Sequence, residues 1–130
     1  MTAPGERQAF EYFAVRCVPR IEREEFLNLG VVLFCPAQEF LALATDLPAE
    51  RLAALAPGLD LAQVQAALDT LDAVCRGDRT AGPVSVQPSR ERFGWLAAPR
   101  STVVQPGPVH AGMTADPGAE LRHLLTVLVG

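Results

Sequence analysis

The chain has 130 residues, 49% of them hydrophobic, with a mean hydropathy of +0.18 and a formal charge of −4. That is one domain's worth of sequence with enough apolar material for a packed core, which excludes disorder over most of its length. The acidic balance excludes a general nucleic-acid binder, whose affinity rests on neutralising phosphates, and no apolar run approaches the roughly 20 residues that span a bilayer.

Residues 1–8 are polar, lack the basic-then-apolar pattern of a secretory leader, and read as a disordered tail ahead of a single domain. A cytoplasmic setting is expected. Cys17, Cys35 and Cys75 are odd in number, widely spaced and set in apolar or helical patterns, so they read as buried thiols rather than disulfides or zinc ligands. All 11 basic residues are arginine. The missing lysine excludes Schiff-base chemistry and the phosphate-binding lysine of a P-loop. Charge is uneven: residues 1–75 carry 5 Arg against 11 acids, and residues 76–130 carry 6 against 4. The local excess of Arg76, Arg79, Arg90, Arg92 and Arg100 could receive an anion or an acidic partner.

In chain order, Ala9–Val18 is aromatic and β-branched and predicts a strand that Pro19 ends. The charged connection Pro19–Glu25 reads as a solvated hairpin tip, with a docking surface for a basic partner as the alternative. Asn28–Cys35 is a nearly continuous apolar run, as a central strand covered on both sides requires, and Gly30 within it suggests a bulge or a close backbone approach. A turn at Pro36–Gln38 leads to a third strand, Phe40–Thr45. Connections this short favour antiparallel neighbours.

The period then changes from 2 to 3.6. Asp46 and Pro48 start a short helix that Pro57-Gly58 stops. Asp60 and Gln63 resemble a capping box for a second helix, whose face Leu61, Val64, Ala67, Leu68, Leu71, Val74 and Cys75 ends at a Gly77 cap. Residues 78–90 are turn-rich. Ser89–Ala98 reads as a short helix presenting Phe93, Trp95 and Leu96, with Gly94 weighing against it. Pro99–Pro117 reads as a long polar loop apart from a short strand at Thr102–Gln105. Asp116 and Pro117 cap a last helix striped by Leu121, Leu124, Leu125 and Leu128. The expected fold is α+β: a three-stranded antiparallel meander with a fourth short strand near 102–105, covered by a helical hairpin and a C-terminal helix.

Long polar loops on a packed domain are where function concentrates, and this one carries Arg100, Ser101, Thr102, Gln105 and His110. Arg100 and the two hydroxyls could hold an anion, with His110 as a proton carrier. The bland alternative is that the same groups brace the sheet edge. Asn28, the sole asparagine, enters an apolar strand and either caps a loop or reaches into a site. No spacing supports a Ser-His-Asp or Cys-His assembly, none suits a metal, and no catalytic residue or cofactor is expected.

Two stretches carry a resemblance. Phe26–Phe34 (FLNLGVVLF), after a strand ending in Arg16-Cys17-Val18-Pro19, resembles the start of the bacterial domain of unknown function 3037 family. Arg92–Pro117, with APRSTVVQP, PVH and the DP helix start, is similar to that family's second signature. Carried over by position, the signatures single out Asn28, Gly30, Arg100, Ser101, Thr102, Gln105, Pro108 and His110. The resemblance implies no activity. It implies a protein partner, since members tend to be encoded beside a kinase resembling the toxin of a toxin–antitoxin pair.

The leading expectation is therefore a non-enzymatic interaction domain that binds a bacterial protein, such as that kinase. The alternative is a small enzyme or ligand sensor holding an anionic substrate through 99–116, which requires Arg100, Ser101, Thr102 and His110 to converge. Homodimerisation through an open sheet edge or the last helix is compatible with both.

Overall fold

The structure, a computed structural model, describes residues 5–129. Its strands are β1 (Gln8–Cys17), β2 (Leu27–Cys35), β3 (Phe40–Thr45), β4 (Val104–Pro106) and β5 (His110–Thr114). Its helices are α1 (Ala49–Leu55), α2 (Leu61–Arg76), α3 (Ser89–Ala97) and α4 (Pro117–Leu128). All strand pairs are antiparallel, in the order β3-β2-β1, and the far side of β1 is shared by β4 and β5. The fold is α+β, as expected.

β2 lies between two neighbours and under helices on both faces, which explains why it lacks polar alternation. From Leu29 to Cys35 every residue is buried. On one face Phe13, Val15, Cys17, Leu29, Val32 and Phe34 meet Leu52 of α1, the apolar stripe of α2, and Phe93 and Leu96 of α3. On the other, Phe10, Val31, Leu33 and Cys35 meet Leu121, Leu124 and Leu128 of α4. All three cysteines are free and buried in these layers. Burial pushes the Cys75 thiol up to about 12 and raises Cys17 as well.

The signals for α2 and α4 act as read, whereas α1 begins after Pro48 with no side-chain cap. Asp60 accepts from Ala62 N and Gln63 N at the start of α2, and Gly77 ends it at φ 70°. Asp116 accepts from Ala119 N at the start of α4. Gly30 sits beside a register shift at Val15/Arg16, and β3 passes close over it. Gly94 does not interrupt α3. The connection after β1 is exposed, with Arg23 and Glu25 paired at 2.7 Å.

Two boundaries differ from the reading of the sequence. The fourth strand spans Val104–Pro106, starting two residues and ending one residue later than expected. The larger difference is β5, which occupies part of the expected loop and pairs Tyr12 with His110 through Gln8 with Thr114. β4 pairs Val15 with Pro106, so between the two ladders Gly107, Pro108 and Val109 face only Phe13 and Ala14. β4 and β5 are one edge strand broken by a bulge, with Gly107 N donating to Ala14 O at 2.7 Å. The residues 1–4 of the expected tail lie outside the described residues, and β1 already begins at Gln8. No helix among the described residues is long and apolar enough to cross a membrane.

Candidate functional site

Where the C-terminal end of α3 turns towards β4, the chain runs alongside α2 without closing against it. The result is an open groove of about 800 Å3. Its floor is Val64, Ala67 and Leu71 of α2 with Val103 and Val104, and one wall is Trp95 with Pro99. Trp95, the only tryptophan, is 39% exposed there.

Arg100, Ser101 and Thr102 line the same groove. The Arg100 guanidinium lies 4.7 Å from the Trp95 ring centroid and donates to Trp95 O at 2.7 Å. Desolvation lowers its pKa from the ordinary arginine value, and no acid pairs with it among the described residues. Thr102 Oγ1 donates to Val104 O at 2.8 Å, and Ser101 is exposed. Arg100 and Thr102 thus brace their own turn and also line a concave, partly apolar surface.

The other marked residues lie elsewhere. Gln105 pairs with Arg16 across the ladder and donates to Thr102 O at 2.8 Å. His110 is exposed on β5, its ring 5.4 Å from that of Tyr12, which packs with the α4 layer. Arg100 and His110 therefore stand on opposite faces of the sheet, and the four-residue anion site with His110 as proton carrier is not assembled. Asn28 also faces α4: its Nδ2 donates to Leu128 O at 3.0 Å, while Arg51 Nη2 donates to Val129 O at 2.6 Å. Both cap the C-terminal carbonyls of α4. Asn28 Oδ1 and the Nε of neighbouring Arg16 are buried without a partner, and Arg16 stacks 4.0 Å from the Phe26 ring centroid.

The arginine excess of the second half is mostly consumed internally. Arg76 pairs with Asp72, Arg90 with Glu11, and Arg92 donates to Val74 O, Cys75 O and Gln87 O. A smaller cavity of about 380 Å3 lies between Pro19–Glu25 and the α1–α2 turn. Among the described residues no His, Cys, Asp and Glu side chains cluster as metal ligands. Sequence reasoning missed the groove. Its one signal was an aromatic residue at the exposed side of a short helix, followed by Pro99.

A family pattern matches residues 12–129, which takes in the groove and the whole sheet apart from the start of β1. The chain belongs to the DUF3037 family, proteins of unknown function. No curated protein and no solved structure matches it. The DUF3037 pattern covers both stretches that carried the resemblance, together with every segment lining the groove.

Proposed function

We propose that this DUF3037 domain is a non-enzymatic accessory domain that receives an apolar segment of a partner protein in the groove between α2 and the α3–β4 turn. The observation that carries it is the exposure of Trp95 beside an apolar floor. An aromatic anchor and an arginine at the edge of a concave apolar patch are the side chains that dominate protein-binding energies. The kinase that the family resemblance implies is the first partner to test. Three buried free thiols suit the reducing conditions of the cytoplasm.

The test is capture of that kinase, and of host proteins, by wild type and by Ala67→Arg, which fills the groove floor from its half-buried position. Capture lost in the variant supports the reading. Capture that survives it, or no capture by wild type, overturns it. For an identified partner, Trp95→Ala should weaken binding by about 2 kcal/mol, roughly thirtyfold in Kd.

Arg100 favours one second reading, a small amphipathic anion in the same groove. The guanidinium is partly buried and without an acidic partner, while Val64, Ala67, Leu71 and Val104 would take a hydrocarbon tail. Decanoate should then shift Trp95 fluorescence at concentrations where decanol does not, and Arg100→Gln should abolish the difference. Equal responses to acid and alcohol would exclude a role for the charge.

A further inference from the structure

We propose that β5 pairs with β5 of a second copy of this chain, joining two sheets across a two-fold axis at Ala111. Among the described residues β5 pairs with β1 alone, so its outer edge is open to a further strand. Natural sheets protect such edges with charges, prolines or bulges. Here Pro106, Pro108 and the bulge protect only the first half of the edge. Between Arg100 and Asp116 there is no Asp, Glu, Lys or Arg at all, in a chain in which 20% of residues are charged.

The backbone decides which groups are offered. Gly107 N–H bonds Ala14 O, so the even residues of β1 face this edge. Antiparallel ladders alternate, and β5 pairs Tyr12 with His110 and Phe10 with Gly112. His110, Gly112 and Thr114 therefore turn their amides towards β1, and Ala111 and Met113 turn theirs outward, with Val109 in the bulge just before β5. A two-fold pair must match outward residues with outward residues. Centred on Ala111, it bonds Ala111 to its own copy and sets Met113 opposite the partner's Val109.

That register also solves a burial problem. Val109 is 44% exposed and Met113 49%, two of the few large apolar side chains left open among the described residues. Directly opposed residues on one face lie about 5 Å apart, close enough to cover each other. A second copy fits better than an unrelated strand because a charge-free strand opposes itself without like-charge contacts. One exposed bond competes: Arg7 Nη2 donates to Met113 O at 3.1 Å, and pairing in this register displaces it. The contact is short, so the dimer is weak and concentration-dependent.

Sedimentation velocity on the full chain across a concentration series tests this. The expected result is a monomer–dimer equilibrium, weakened at least about tenfold by Ala111→Pro, which removes the central outward N–H without touching the bonds to β1. Met113→Arg should do the same through charge and serves where the proline variant does not fold, folding being checked by circular dichroism. Ala111→Cys should cross-link to its own copy under mild oxidation, since the native thiols are buried. A monomer at every concentration overturns the proposal, as does a dimer that survives both Ala111→Pro and Met113→Arg.

Discussion

Replacing Gly30 by alanine adds one methyl group at a point where β3 lies close against β2. Backbone propensity alone favours the change, because glycine inside a strand costs about 0.5–1 kcal/mol relative to alanine. The structure reverses that sign. A Cβ at Gly30 would stand 2.5 Å from Ala44 O and 3.0 Å from Thr45 Cγ2. Ordinary contact with a backbone oxygen needs nearly an ångström more, and β3 is held there by its pairing of Gly30 with Thr45 and Val31 with Ala44. Relief requires β3 to slide outward or β2 to bend, and overpacking of this kind costs about 1–3 kcal/mol. The matched control is Gly94→Ala, in the middle of α3 with nothing within 4 Å of the added carbon; it should stabilise by up to about 1 kcal/mol. Urea unfolding of both variants reads the difference. Gly30→Ala should fall below wild type while Gly94→Ala rises above it, with opposite shifts in Tm. A Gly30→Ala variant as stable as wild type or more would refute the claim that close approach of β3 is why a glycine stands there.

Arg92 holds the end of α2, donating to Val74 O at 3.0 Å, Cys75 O at 2.7 Å and Gln87 O at 2.9 Å. Arg92→Leu should cost about 2–3 kcal/mol in urea unfolding, and Arg92→Lys should recover less than half, because an ammonium cannot reach three carbonyls in a plane. Stability should also decline at alkaline pH. The Cys75 thiol, pushed up to about 12, stays protonated in the folded chain. The unfolded chain loses that proton from about pH 9, so stability falls between these values by at most about 1.4 kcal/mol per pH unit. Cys17 acts in the same direction. Cys75→Ala should flatten the decline, and a decline unchanged in that variant would place its origin elsewhere. Phe34 stacks on Phe93 with ring centroids 5.3 Å apart and is 1% exposed. Phe34→Ala should cost about 3–5 kcal/mol by thermal unfolding, and a loss under 1 kcal/mol would contradict the packing of α3 on the sheet.

The elements that carry the core were legible because each declares itself within its own residues. Asn28–Cys35 is apolar on both faces, and α2 repeats its stripe over four turns between an aspartate and a glycine. Such patterns report burial directly, whatever the neighbours are. Gly30 was legible as either a bulge or a close approach for the same reason, and the structure shows both beside it. A glycine in an unbroken apolar strand gives up side-chain packing, and a buried strand tolerates that loss where a neighbouring backbone needs the space.

What remained hidden depends on partners distant in the chain. HAGMT has no strand pattern of its own, and β5 exists because the even residues of β1 offer it a ladder about a hundred residues away in sequence. The same pairing carried His110 to the α4 face, while the turn after α3 left Arg100 beside α2 on the other. Residues adjacent in a signature were thereby parted by the thickness of the sheet. Asn28 was read as capping a loop or reaching into a site; its partner is Leu128 O at the end of α4, which could be found only once α4 had docked. Sequence alone determined which segments are buried and where most helices begin and end, since those follow from periodicity and capping. Only the tertiary structure decided which polar groups meet and which apolar surface stays open, because both depend on long-range packing that no local pattern encodes.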